Sequence, residues 1–134
     1  MKIVEHDPRG DMYLPVWVLV MGCVMCAAAC WFLPDILRGN PAMLIPILGF
    51  GGMGVGAVLC WKNQRVRIIS DTHFEYTTFL GTTHTYAFRD ISRMEQGGDH
   101  WTLYVADGKV HMESCARISR RFCDRIDREL KNRD

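Results

Sequence analysis

The fold is decided by two stretches, YLPVWVLVMGCVMCAAACWFL at residues 13–33 and MLIPILGFGGMGVGAVLCW at residues 43–61, and neither contains a charged side chain. They are 21 and 19 residues long. Since an α-helix rises about 1.5 Å per residue, each extends roughly 30 Å, the thickness of the hydrocarbon layer of a bilayer. The intervening PDILRGNPA, residues 34–42, has the proline and glycine content of a tight turn. The sequence therefore predicts a transmembrane α-hairpin.

Cations gather on one side of this predicted hairpin. They precede the first helix and follow the second, at Lys2, Arg9, Lys62, Arg65 and Arg67. The connecting turn holds only Arg38. Because Lys and Arg are enriched in cytoplasmic flanks, we expect a multi-pass protein of the inner (cytoplasmic) membrane with both termini in the cytoplasm. Residues 1–12 are then a cytoplasmic tail, 34–42 an extracytoplasmic turn and 62–134 a cytoplasmic domain.

A cleaved signal peptide is the alternative to the first helix. The run AAAC at residues 27–30 faintly resembles a lipoprotein cleavage site. Against this alternative, the apolar stretch continues through residues 31–33, and Glu5, Asp7 and Asp11 accompany the two N-terminal cations. A signal peptide normally has a cationic start and a shorter apolar core, so a membrane helix is the favoured interpretation.

Small residues recur every four positions in both predicted helices: Gly22, Cys26 and Cys30 in the first, and Gly52, Gly56 and Cys60 in the second. This spacing lets helix backbones approach closely in a membrane. We predict that these residues pack helices together, either within one chain or between copies of it. Cys23 and Cys26 also form a C-x-x-C pair, but the apolar stretches offer no histidine or charge to activate it or to complete a metal site.

After the second apolar stretch the hydrophobic period changes to two, which is typical of half-buried antiparallel strands. Alternating segments are found at residues 65–70, 73–79, 83–88, 91–94, 101–105 and 109–113. Asp107-Gly108 predicts a two-residue hairpin turn. The period then becomes four, with Ile118, Phe122, Ile126 and Leu130 on one face. This pattern predicts an amphipathic terminal helix of about 14 residues that caps the sheet.

The order of these elements resembles the bacterial pleckstrin-homology-like (PH-like) domains that follow a membrane hairpin. The resemblance covers roughly Asn63 to Leu130, through RVRIIS (65–70), HFEYTTF (73–79), TYAFRDISRMEQ (85–96) and the hairpin WTLYVADGKVHMES (101–114). It is a resemblance of pattern and order. It implies a membrane α-hairpin plus a small α+β domain, in which an antiparallel PH-like sheet or barrel is capped by the C-terminal amphipathic helix. The short segment implies a missing strand or a more open sheet.

Signatures of catalysis and of metal binding are absent from the sequence. A formal net charge of +1 is too small to indicate nucleic-acid binding. No P-loop, nucleophile elbow or dinucleotide fingerprint is found, and the histidines lack zinc-motif spacing. We expect His84 to face inward as a core residue. The chain is therefore expected not to be an enzyme, and to use no cofactor, metal, nucleic acid or small-molecule substrate.

Binding roles remain, and docking of a protein partner or self-association as a scaffold at the inner membrane surface ranks first. Recognition of anionic lipid is the alternative, because Lys62, Arg65 and Arg67 would lie at the membrane surface. The positive-inside bias alone also explains these three cations. Arginines of the terminal helix are candidates for either a partner or a lipid face: Arg120, Arg121, Arg125 and Arg128. A small accessory subunit of a membrane transporter is a further alternative.

Overall fold

The computed structural model describes residues 2–5, 8–106 and 108–132. Its helices are α1 Val16–Trp31, α2 Leu33–Leu37, α3 Leu44–Asn63 and α4 Arg120–Lys131. Its strands are β1 Lys2–Val4, β2 Met12–Tyr13, β3 Arg65–Ile68, β4 His73–Thr77, β5 Thr83–Ala87, β6 Ile91–Gln96, β7 His100–Val105, β8 Gly108–Glu113 and β9 Arg117–Ser119. The predicted combination of two long apolar helices, a strand-rich region and a C-terminal helix is confirmed.

α1 and α3 pack side by side as a helical hairpin. The segments Val16–Leu37 and Pro41–Asn63 are each long and apolar enough to cross a membrane, and only 17% and 6% of an apolar 18-residue stretch within each of them is buried. Neither segment is therefore a core helix of the polar domain. The connection predicted as a turn at 34–42 contains most of α2 and a short 3-10 helix, Pro41–Met43.

The ends of the hairpin helices differ from the predicted spans for local reasons. α1 begins at Val16 instead of residue 13, because Tyr13 belongs to β2 and Pro15 occupies the N-cap position. It ends at Trp31, because Pro34 has no backbone N–H to continue the helical hydrogen bonds and its ring would meet the carbonyl of Cys30. α3 extends to Asn63, beyond the predicted end at residue 61.

The larger sheet has six strands in the order β1-β9-β2-β3-β4-β5. β1 pairs parallel with β9, so the expectation of a wholly antiparallel sheet is wrong at this edge. The N-terminal segment is also not a tail outside the domain, because β1 and β2 both belong to this sheet. The buried side chain of Met12 explains this incorporation, since it joins the hydrophobic core.

The smaller sheet has three antiparallel strands in the order β6-β7-β8. Both sheets and α4 contribute to one core, whose largest fully buried side chains include Phe74, Phe88, Ile91, Leu103 and Phe122. No strand pairing joins the two sheets within the described residues, so they form no closed barrel there. β7 and β8 form a hairpin as predicted, but Gly108 is already the first residue of β8, opposite Val105, and is therefore not the loop residue that the Asp107-Gly108 pair predicts. Asp107 lies outside the described residues.

The terminal helix is shorter than predicted. Ile118 lies in β9, and α4 begins after Ser119, whose hydroxyl accepts a hydrogen bond from the Phe122 N–H at 3.2 Å. α4 has 12 residues and buries Phe122 and Ile126, so the predicted apolar face does cap the core. Serine is a favourable N-cap, which explains why the helix starts where it does.

Candidate functional site

The polar domain joins the hairpin at one end, which we call the hairpin base: the end where α1 begins at Val16 and α3 ends at Asn63. β2 leads into α1, and β3 follows directly after α3. These two strands are antiparallel neighbours, with Tyr13 opposite Arg65. Residues from two distant parts of the chain are therefore brought together where the apolar helices meet the polar domain.

Four cations lie at the hairpin base, and we call this cluster the cationic pocket: Arg9, Lys62, Arg65 and Arg67. A cavity of about 190 Å³ is lined by Arg9, Tyr13, Trp61, Lys62, Gln64 and Arg65. A second cavity of about 110 Å³ is lined by Pro8, Arg9, Arg65, Arg67, Glu75, Thr77 and Thr83. Arg9 and Arg65 line both cavities, so the two spaces adjoin. The structure thus brings together the three predicted surface cations and adds Arg9.

Aromatic rings hold Arg9 in this position. Its guanidinium carbon lies 5.1 Å from the ring centroid of Trp61 and 5.9 Å from that of Tyr13. Both distances fall within the range of cation–π attraction. The indole N–H of Trp61 is buried and has no hydrogen-bond partner among the described residues. Arg9 is therefore placed against the end of α3 by its packing on these two rings.

Gly10 allows the chain carrying Arg9 to pass close to β3. Its φ is +137°, and a Cβ built at this position would lie 2.8 Å from the carbonyl oxygen of Val66. Only glycine readily adopts that conformation. The next residue is bound to the same strand, because the Asp11 N–H donates to the Val66 carbonyl at 2.8 Å.

The described residues that line the cationic pocket carry an excess of positive charge. Lys62, Arg65 and Arg67 are exposed and form no ion pair in the described part of the chain. Among the described residues, the lining contains one carboxylate, Glu75, which lies opposite Arg67 across the β3–β4 pair. Since Arg and Lys are strong donors to phosphate oxygens, this arrangement is suited to binding an anion.

The arginines of the terminal helix are not part of this pocket. Arg125 donates to Asp71 at 2.6 Å, in the β3–β4 connection at the end of the domain opposite the hairpin base. Arg128 donates to the backbone carbonyl of Asp124 at 3.2 Å, and Arg120 and Arg121 are exposed. None of the four lines either cavity of the cationic pocket.

The hairpin helices cross at Gly22, Cys26 and Gly54. A Cβ built on Gly54 would lie 2.8 Å from the Gly22 carbonyl oxygen and 2.6 Å from the sulfur of Cys26. By contrast, a Cβ on Gly52 or Gly56 would meet nothing within 4 Å. The two other predicted packing residues lie elsewhere: Cys30 is exposed, and Cys60 packs against the core of the polar domain.

An apolar cleft of about 320 Å³ lies on another face of the domain. It is lined by Ile3, Met94, Trp101, Met112, Ile118, Cys123, Ile126 and Asp127. β1, the smaller sheet, β9 and α4 supply its walls. The sequence does not predict this cleft, because its walls come from distant parts of the chain and β1 is too short to show a period.

The histidine and metal expectations can be compared with the described residues. His84 lies opposite the core residue Tyr76 on the core-facing side of the sheet, as expected, and stacks on Tyr86. It is nevertheless exposed, because β5 is an edge strand, so the expectation of a core histidine is wrong. Within the described residues, no group of three or more His, Cys, Asp or Glu side chains is placed to hold a metal ion.

Cys115 and Cys123 are expected to react slowly with iodoacetamide. Burial raises the pKa of both thiols, and nearby carboxylates raise it further, Glu113 for Cys115 and Asp127 for Cys123. Since the thiolate is the nucleophile, the rate–pH curve of each should shift to higher pH in the folded protein. Mass spectrometry of folded and urea-unfolded chain measures this shift; coincident pH midpoints in the two states would contradict the prediction.

The geometry thus offers two candidate binding surfaces, the cationic pocket and the apolar cleft. The first is polar and lies at the hairpin base, and the second is apolar and lies beside α4. No known protein family, curated protein or solved structure matches this chain, so the resemblance to PH-like domains stays a prediction.

Proposed function

We propose that this chain is a membrane-anchored module that binds anionic lipid head groups through the cationic pocket at its hairpin base. The observation that carries the proposal is the convergence of Arg9, Lys62, Arg65 and Arg67 from two separate segments, close to the point where both apolar helices meet the polar domain. The sequence alone ranks protein docking first; the addition of Arg9 to the other three cations favours lipid.

Membrane anchorage is supported by the length and the exposure of the two helices. Two segments long enough to cross a bilayer leave most of their apolar side chains uncovered, and an exposed apolar surface of this extent is unfavourable in water. With the cations at the hairpin base and only Arg38 in the connection, the positive-inside rule favours the cytoplasmic side for the polar domain.

The energetics favour phosphate at this location. Each cation near an anionic membrane surface contributes about 1 kcal/mol of attraction. Arginine adds paired donors that match phosphate oxygens, and Tyr13 and Trp61 are amphipathic side chains typical of the membrane interface. The pocket therefore combines charge, directed donors and aromatic rings at the level expected for lipid phosphates.

The test is the retention of short-chain anionic lipid by the full chain in a neutral detergent, measured by native mass spectrometry. The variant Arg9→Gln with Arg65→Gln should bind dioctanoyl phosphatidylglycerol about 30-fold more weakly, since it loses two cations that contribute about 1 kcal/mol each. Arg120→Gln with Arg121→Gln is the matched control, because it removes the same charge from exposed positions outside the pocket.

Comparison of the two double variants distinguishes a specific lipid-binding site from nonspecific attraction between charges. The control variant should retain the lipid as the unaltered chain does, and dioctanoyl phosphatidylcholine should bind weakly to all three. Glycerol phosphate, which has no acyl chains, distinguishes a lipid site from a site for a free phosphate compound. Equal losses in both double variants, or no preference for the anionic lipid, would refute the proposal.

Protein docking is a second candidate because of the apolar cleft. Ile3 at this cleft is 57% exposed, although several other lining residues belong to the core. Such a cleft fits an apolar side chain of a partner, and Ile3→Glu should abolish that association without affecting lipid retention. Copurification of a single partner with the unaltered chain, lost in Ile3→Glu, is the result that this candidate requires.

A further inference from the structure

The turn between β4 and β5 lies at the hairpin base. β3 leads away from α3, and β4 returns antiparallel to it, with Thr77 opposite Arg65. The side-chain amide of Asn63, the last residue of α3, donates to the carbonyl of Phe79 at 2.8 Å. The turn is therefore bound directly to the end of an apolar helix.

This turn presents two apolar side chains at its tip. The Gly81 N–H donates to the Thr78 carbonyl and the Thr78 N–H donates to the Thr82 carbonyl, both at 2.9 Å. Phe79 and Leu80 occupy the two central positions and are 47% and 71% exposed. Turn centres in water usually hold Gly, Pro, Asn, Asp or Ser, so Phe-Leu is an unusual tip for a turn that faces water.

Gly81 fixes the direction of the tip. Its φ of +89° is readily adopted by glycine. Gly81 thus closes a hairpin loop of the type in which a residue in the left-handed backbone conformation follows the turn. The tip is thus held from both sides, by its own hydrogen bonds and by Asn63. Its two apolar side chains are consequently presented on an ordered support.

We infer that Phe79 and Leu80 insert into the interfacial layer of the bilayer beside the hairpin. The inference rests on the membrane anchorage proposed above. The surroundings of the tip favour a bilayer as its binding partner. The tip adjoins the end of α3, and the segment that follows this helix end carries cations. An apolar tip beside cations matches the two layers of a membrane surface, acyl chains next to phosphates.

Insertion of the tip gives the polar domain a third attachment to the membrane besides its links to α1 and α3. The domain already contacts both hairpin helices, because Val18 of α1 joins its core and Ala57 and Cys60 of α3 pack against that core. The tip adds a direct contact with lipid to these helix contacts, and it helps to hold the cationic pocket at the level of the lipid phosphates. The tip is therefore a positioning element for the pocket and not a part of it.

Site-specific photocrosslinking in lipid nanodiscs tests the inference with the full chain. The photoreactive residue p-benzoylphenylalanine replaces Phe79, Leu80, Ile69 or Val24, one position at a time. Ile69 is the matched control, because it is 48% exposed and follows β3 at the end opposite the hairpin base. Val24, 62% exposed on α1, reports whether the hairpin itself lies in lipid.

The expected result is a mass increase of one phospholipid at Phe79, Leu80 and Val24, with only background at Ile69. The pattern of lipid labelling should be the same in nanodiscs of phosphatidylcholine alone, because insertion of apolar side chains does not require anionic head groups. The result therefore does not depend on the lipid selectivity of the cationic pocket.

Contrary outcomes are separable from one another. Lipid adducts at Val24 without adducts at the tip would refute the inference alone, as would tip adducts with a second copy of the chain instead of lipid. Equal lipid labelling at Ile69 and Phe79 would also refute it, since the tip would then have no preferred contact. Absence of lipid adducts at all four positions would refute the membrane anchorage together with the inference.

Discussion

Replacing Gly54 with alanine is expected to force α1 and α3 apart and to lower the stability of the helical hairpin by about 2–3 kcal/mol. The added Cβ would lie 2.6 Å from the sulfur of Cys26 and 2.8 Å from both the Cys26 nitrogen and the Gly22 carbonyl oxygen. The last two are backbone atoms, so no side-chain rotation relieves the overlap. The helices must separate, and they lose dispersion contacts along the crossing.

Gly52→Ala is the matched control on the same helix. A Cβ there meets nothing within 4 Å, and alanine is the better helix former, so stability should be unchanged or slightly higher. Titration of the folded chain in mixed micelles with dodecyl sulfate, followed by tryptophan fluorescence, gives the unfolding midpoint of each variant. Equal destabilisation by both substitutions would contradict the packing of α1 against α3 through Gly54.

The hairpin illustrates which features a sequence can predict. Two uncharged stretches of sufficient length predict two helices, because charge and length are properties of a continuous segment. Which face of each helix meets the other depends on the relative rotation of the two helices. Gly52 and Gly54 lie in the same glycine-rich stretch, and the four-residue spacing favoured Gly52, whereas Gly54 is the residue at the crossing.

The strands show the same division between local and distant information. β3, β4, β7 and β8 were predictable because an alternating pattern runs through each of them. β1, β2 and β9 have two or three residues each, too few to show a period. The pairing of β1 with β9 also joins the two ends of the chain, which no local pattern indicates.

The cationic pocket was only partly predictable. Lys62, Arg65 and Arg67 follow directly after an apolar stretch, so their position beside the hairpin is evident in the sequence. Arg9 belongs to a segment that has no hydrophobic period, so the sequence predicts only a tail there. Its place depends on the conformation of Gly10 and on the hydrogen bonds of Asp11, which become visible only in the folded chain.

Asp11→Ala is expected to lower the free energy of unfolding of the polar domain by about 3 kcal/mol, because two hydrogen bonds to a charged group are lost. One carboxylate oxygen accepts from the Ile68 N–H and the other from the Ser119 hydroxyl, each at 2.8 Å. The carboxylate therefore ties the N-terminal segment to β3 on one side and to β9 on the other. Ser119 is buried and also caps α4, so its hydroxyl loses a partner where water cannot replace it.

The measurement is thermal unfolding of the full chain in detergent, followed by the circular dichroism of the sheet. For a domain of this size, about 3 kcal/mol corresponds to a fall in Tm of roughly 15 °C. Asp124→Ala removes an exposed carboxylate of α4 and should leave Tm nearly unchanged. Asp11→Asn should fall between the two, because it keeps one acceptor oxygen and the shape of the side chain. If the Asp11→Ala variant had the same Tm as the Asp124→Ala variant, the Asp11 carboxylate would not hold the N-terminal segment in place. The position of Arg9 in the cationic pocket would then lack this support.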